Sequence, residues 1–247
     1  MSARKILIRR CFNRASQTYD QYAALQQQTG HRLIERVQSI APQFDSIMDL
    51  GCGTGMVTAA LAAGVISRRF HAVDMASRLL DQARKRLWGT SIQLEEADFE
   101  QPFSDLAGFD LVFSNLALHW SASLTSVFQN IWSMLNAKGY LIFSVPVAGT
   151  FKELSHFAAR QSFCEAQQVA GRLSSLGFDV LDGGQETLTY DFPDTLTALR
   201  SIKRVGANFA NRCAPHLRGK SWLNKLDITQ LTYCIAYFAA YKPENTS

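Results

Sequence analysis

Asp49-Leu50-Gly51-Cys52-Gly53-Thr54-Gly55 joins a short apolar run, Ser46–Leu50, to a helix-forming stretch over residues 56–63 that stops near Gly64. Three glycines at alternate positions let the backbone approach a ligand closely, because no side chain intervenes. The helix that follows offers the free N–H groups of its first turn. Outward from this turn, strand and helix patterns alternate. Residues 69–73 read as a strand, 76–87 as a helix, 91–95 and 109–113 as strands, 124–135 as a helix and 140–145 as a fifth strand. Strands separated by helical stretches of about ten residues imply right-handed crossovers and a largely parallel sheet, whose ligands sit beyond the C-terminal strand ends.

The flanks complete the expectation. Residues 2–40 read as helices before the first strand, and residues 151–163, 167–176 and 195–209 as later helices. Residues 186–192 and Gln230–Tyr241 close the pattern as strands. The fold class expected is α/β: a doubly wound, mostly parallel sheet of roughly seven strands, with N-terminal helices and helical insertions.

With 247 residues, 47% of them hydrophobic, the chain can bury a full core as one domain. No apolar run approaches the ~20 residues of a membrane-spanning helix, and residues 1–10 hold only Ile6-Leu7-Ile8 as an uninterrupted apolar stretch. The five cysteines include no Cys-x-x-Cys pair and the five histidines are scattered. A reducing cytoplasm, no membrane and no metal are therefore expected. Charge is unevenly placed. Residues 1–14 carry Arg4, Lys5, Arg9, Arg10 and Arg14 without an acid, and residues 200–225 carry seven further bases without one. An otherwise acidic body thus bears two basic segments, either solvated faces or surfaces that steer an anionic partner.

Asp74 ends the second strand, with Met75 beside it, where a carboxylate can accept both hydroxyls of an adenosine ribose. The plainer reading is a cap for the next helix. A nicotinamide dehydrogenase shares this architecture, but its Gly-x-Gly-x-x-Gly fingerprint needs a third glycine where Met56 and Val57 follow Gly55.

Two further segments make the pattern resemble the class I S-adenosylmethionine-dependent methyltransferases. Ala97-Asp98-Phe99 resembles their adenine-reading loop, with Asp98 accepting from the exocyclic amine and Phe99 packing nearby. Ser114-Asn115-Leu116-Ala117-Leu118-His119-Trp120 resembles the segment lining the methionine end. The resemblance implies S-adenosylmethionine as methyl donor, held by Asp49, Gly51, Cys52, Gly53, Gly55, Asp74, Met75, Asp98, Phe99 and Asn115. The Pro-Pro motif of base-modifying amino-methyltransferases is missing from residues 114–117, as is a Pro-Cys nucleophile, so nucleic acid is not the expected substrate. His119 is the best-placed candidate base, although a lone His beside Trp is more often a packed residue. A carboxylate acceptor needs no base, being ionised above a pKa of roughly 4.

Phe12-x-x-Ala15-x-x-Tyr19-Asp20-x-x-Ala23, Asp49 to Gly55, Asn115 to Trp120, Gly139 to Ser144, Lys152-Glu153-Leu154 and Leu199-x-x-x-Lys203-x-x-Gly206-Ala207 together resemble the malonyl-acyl-carrier-protein O-methyltransferases of biotin synthesis. The similarity spans nearly the whole chain, although the family often has Gln where His119 stands. It implies methyl esterification of the free carboxylate of a malonyl thioester, and an acidic acyl-carrier protein as the partner that the basic segments meet. For the malonyl group it implies Tyr19 as a hydrogen-bond donor and Lys203 or Arg204 as charge partner, only one of which can face the site from a helix. It divides the single domain into a helical lid (1–44), a donor-binding core (45–147) and a substrate side (148–247). Methylation of another small carboxylate of the trans-aconitate type, quinone-ring C-methylation, and a catalytically silent donor-binding subunit are the alternatives.

Overall fold

The computed structural model describes residues 1–102, 106–154, 163–207 and 227–244. Three helices precede the sheet: α1 (Ala3–Ala15), α2 (Tyr19–Tyr22) and α3 (Ala24–Ile40). There follow β1 (Ser46–Leu50), α4 (Met56–Gly64), β2 (Arg69–Asp74), α5 (Ser77–Arg86), β3 (Gln93–Glu96), β4 (Phe109–Asn115), α6 (Leu124–Met134) and β5 (Leu135–Pro146). The remainder forms α7 (Ala166–Ser175), β6 (Asp179–Asp182), β7 (Gln185–Asp191), α8 (Thr195–Arg204) and β8 (Gln230–Tyr241).

The sheet has the order β3-β2-β1-β4-β5-β8-β6, with β7 also pairing to β8. Strands β1 to β5 run parallel, and β8 is antiparallel to β5, β6 and β7. Strand order reverses between β1 and its two neighbours, β2 and β4, which opens the crevice where ligands of such sheets bind. All five residues of β1 are buried, as a central parallel strand requires. One face packs beneath α6 through Val127, Phe128 and Ile131, the other beneath α3 through Leu33, Ile34 and Val37.

The doubly wound, mostly parallel architecture is the one expected, with eight strands rather than seven. The extra strand, β6, is short and mostly exposed, so it carries no apolar alternation to announce it. Helix α8 stops at Arg204 and not at 209: the backbone turns at Gly206 (φ +74°), whose N–H donates to the Lys203 carbonyl. Of the helix expected over 151–163, a single short turn, Lys152–Leu154, is described, and residues 155–162 lie outside the described residues. Among the described residues no helix is long and apolar enough to cross a membrane.

Candidate active site

The Gly-rich turn is built against the end of β2. Gly51 and Cys52 donate their N–H groups to the Val73 carbonyl at 2.8 and 3.0 Å. Asp74 then accepts from Gly53 N–H at 2.9 Å through one oxygen and from Ala76 N–H at 2.7 Å through the other. A carboxylate has about four acceptor sites, so room remains for a ribose diol. Burial raises the Asp74 carboxyl to about 6 despite these bonds. Asp49, almost fully buried, accepts from Thr58 Oγ1 at 2.7 Å and is raised by burial to about 7.

Glycine is required here for two different reasons. At Gly51 (φ +81°) a Cβ would lie 2.3 Å from the Ala117 Cβ, so the turn and the segment after β4 pack backbone to side chain. At Gly53 (φ +57°) the nearest atom to a Cβ is the Tyr19 hydroxyl at 3.9 Å, so the missing side chain leaves open space instead. Gly53→Ala should therefore cost about 1–2 kcal/mol of stability through its left-handed backbone alone, while weakening donor binding more severely by filling that space. Calorimetric unfolding beside calorimetric donor titration separates the two losses.

That space belongs to a narrow cavity of about 50 Å³ lined by Gly51, Gly53, Asp74, Met75, Asp98, Phe99 and Asn115, with Lys5, Ile8 and Phe12 of α1 laid across it. A second cavity of about 260 Å³ adjoins it, and Phe12, Tyr19, Leu116 and Trp120 line both. Leu116 sits at φ +50°, unusual for a residue with a Cβ, and its N–H donates to both oxygens of Ser144. The second cavity is walled largely by rings, among them Phe151, Phe192, Tyr190 and Tyr233. Burial, with Asp74 and Asp20 nearby, pushes the Tyr19 phenol well up, so it keeps its proton. Burial, helped by the Arg4 guanidinium, lowers His119 to about 3.

A methyltransferase-domain family model matches residues 48–143, the stretch from β1 to β5 that builds both sides of the crevice. A malonyl-[acyl-carrier protein] O-methyltransferase of Coxiella burnetii is 34% identical over 95% of this chain and 95% of its own. The chain belongs to the malonyl-[acyl-carrier protein] O-methyltransferase family. A second relative of that name, from Halorhodospira halophila, is 31% identical over 93% of this chain and 80% of its own. Among solved structures, the N-methyltransferase NodS of Bradyrhizobium japonicum in complex with S-adenosyl-L-homocysteine superposes with a TM-score of 0.57 at 15% identity, covering 93% of this chain and 99% of that one. The fold is thus that of the class I methyltransferases.

Against this family background, the residues expected at the site separate into three groups. Gly51, Gly53, Asp74, Met75, Asp98, Phe99 and Asn115 come together around the narrow cavity, and Tyr19 and His119 line the larger one. Asp49, Cys52 and Gly55 line neither: Asp49 ties the turn to α4 through Thr58, Cys52 packs with Ala72 and Leu80, and Gly55 lies against Ala83 of α5. Neither Lys203 nor Arg204 lines the larger cavity, correcting the expectation that one would. The inward face of α8 is Ala198, Ser201 and Ile202, while Lys203 is exposed and Arg204 stacks on the Tyr22 ring at 4.3 Å.

The N-terminal basic segment is likewise not all free surface. Lys5, buried, pairs with Asp98 and with Glu100 at 3.2 Å; Arg9 pairs with Glu96; Arg4 donates to the Trp120 carbonyl at 3.0 Å. Arg10 and Arg14 remain exposed, and residues 208–225 of the second basic segment lie outside the described residues. Four contributors were not singled out from sequence. Lys5 carries no local signal, because its acids lie 93 and 95 residues away in sequence. Asp20 follows Tyr19 directly and accepts from Thr54 Oγ1 at 2.6 Å and Arg86 at 2.7 Å, fixing α2 to the Gly-rich turn. Gln26 and the strained Leu116 carry no local signal.

Proposed function

We propose that this protein transfers the methyl group of S-adenosylmethionine to the free carboxylate of a malonyl group held as a thioester on an acidic acyl-carrier protein, yielding the methyl ester that primes pimeloyl synthesis for biotin. The observation that carries the reading is the meeting of the two cavities at Phe12, Tyr19, Leu116 and Trp120. S-adenosylmethionine, when bound, supplies an electrophilic methyl group on a positively charged sulfur. The narrow cavity fits such a donor chemically: Asp74 keeps acceptor sites that would hold the ribose hydroxyls, Asp98 and Phe99 would hold the adenine, and Gly53 and Asn115 would hold the methionine end.

The chain's own groups then have defined tasks. Phe12, Leu116 and Trp120 wall the junction from water, and an apolar wall favours a transfer that extinguishes a cation and an anion together. Tyr19, protonated, donates to the acceptor carboxylate and sets its distance. With a pKa of about 3, the His119 imidazole is a poor base, and the reaction needs none because the carboxylate is already ionised. Helices α1 and α8 touch, so the exposed Arg10, Arg14 and Lys203, distant in sequence, gather on neighbouring elements and offer an acidic carrier one basic approach. The reading places the enzyme in the cytoplasm, as its cysteine pattern suggests.

The test is methyl transfer from radiolabelled S-adenosylmethionine to malonyl-carrier protein, with trans-aconitate and unacylated carrier in parallel. Base-labile label on malonyl-carrier protein alone is expected. Label on trans-aconitate instead, or on nothing while donor binding is intact, overturns the assignment.

A further inference from the structure

We propose that His119 and Gln26 are substrate-positioning residues, a neutral hydrogen-bonding pair that grips the acyl acceptor from the wall of the larger cavity. The inference rests on the methyl-transfer reading above and deepens it. His119 Nδ1 and Gln26 Oε1 are buried side-chain atoms without a hydrogen-bond partner among the described residues. Both residues line the 260 Å³ cavity. Folded proteins pair nearly all buried polar atoms, so two orphans carried by residues that line one cavity point to a ligand that satisfies them once the side chains turn toward it. A third such atom, Ser121 Oγ, belongs to a residue off that wall and has no part in the argument.

Neighbouring groups fix the Gln26 backbone and the His119 ring. Gln26 lies in the first turn of α3, and its backbone carbonyl accepts from Asn115 Nδ2 at 2.8 Å. His119 lies in the short turn Leu118–Trp120, its ring 4.9 Å from the Trp120 centroid and 6.2 Å from that of Phe163. Their chemistry matches a malonyl thioester, whose carboxylate and thioester oxygens are all acceptors. The neutral imidazole has one N–H to give. The Gln26 carboxamide presents its NH₂ by a half-turn about its last bond.

The experiment compares wild type with His119→Phe and Gln26→Met, which keep volume, and with His119→Gln, which returns a neutral donor. Steady-state kinetics on malonyl-carrier protein are run beside calorimetric donor binding, thermal unfolding and a pH-rate profile. Each apolar variant is expected to raise KM about tenfold, the loss of one hydrogen bond to a charged group, with kcat, donor affinity and Tm nearly unchanged. His119→Gln should recover most of the KM. Unchanged KM in both apolar variants overturns the proposal, as does a parallel fall in Tm and donor affinity, which marks a structural role. A kcat loss in His119→Phe together with a wild-type pH limb that the variant abolishes overturns it in favour of a base. A wild type that binds donor but leaves malonyl-carrier protein unlabelled overturns the substrate reading itself, whatever the variants do.

Discussion

Replacing Asp74 with Ala is expected to weaken S-adenosylmethionine binding about 100- to 10,000-fold, since two charge-assisted bonds to ribose hydroxyls are worth about 1.5–3 kcal/mol each. Asp74→Asn keeps one acceptor oxygen toward the Gly53 or Ala76 N–H and isolates the loss of charge. The pH dependence gives a second reading of the same group. The donor-free carboxyl titrates at about 6, and hydroxyls that bind its ionised form make donor affinity fall as pH drops below that value, by up to about tenfold per unit. The free protein behaves oppositely. Asp74 and Asp49 are raised to about 6 and about 7, above an unfolded value near 3.9. Their contribution to stability is therefore complete below about pH 4 and is lost as pH rises through the folded values. Donor-induced stabilisation, read as the Tm shift on adding S-adenosylmethionine, should grow from pH 5 to 7 in wild type. A flat wild-type profile, or the same slope in Asp74→Asn, contradicts the ribose role.

Lys5→Met should have the other large effect. Lys5 lies between Asp98 and Glu100, and all three side chains are at most 15% exposed. Removing the cation leaves two nearly buried carboxylates without their counter-charge, a change that costs about 3–5 kcal/mol in comparable sites. The loss should fall on α1, whose other ties include Arg4 to the Trp120 carbonyl, Arg9 to Glu96 and Asn13 Oδ1 accepting from the Arg78 N–H. The donor-side cavity, at about 50 Å³, is far below the roughly 300 Å³ and more of ordinary small-molecule sites. We propose that helix α1 yields as a donor seats, so weakening its anchor is expected to speed donor association at least several-fold. Amide hydrogen exchange over residues 3–15 and stopped-flow donor binding measure the two effects. Protection unchanged in Lys5→Met would show that the ion pair does not hold the helix down.

The sequence by itself determined the frame and the donor turn. Ser46–Leu50 and Gln230–Tyr241 read as strands over their observed spans, because a fully buried strand and a long run of β-branched and aromatic residues are local patterns. The positive φ at Gly51, Gly53 and Gly55 is equally local, since only glycine takes it freely, and the spacing from Gly55 excluded a dinucleotide fingerprint before any coordinates. Tertiary structure alone decided which charges are spent. Lys5 meets Asp98 across 93 residues, and nothing in the spacing of either segment says that the N-terminal helix lies on the loop after β3. The same holds for Lys203 and Arg204: periodicity says they diverge, but the rotation of α8 is set by Ala198 and Ile202 packing inward, which turns both cations from the cavity. In sequence His119 stands out as a candidate base and Gln26 as a plain polar residue; only the packing around them leaves Nδ1 and Oε1 unpartnered in residues that line one cavity. Backbone conformation and burial periodicity are properties of neighbouring residues, whereas ion pairing and unmet hydrogen bonds depend on which distant segments the sheet brings together.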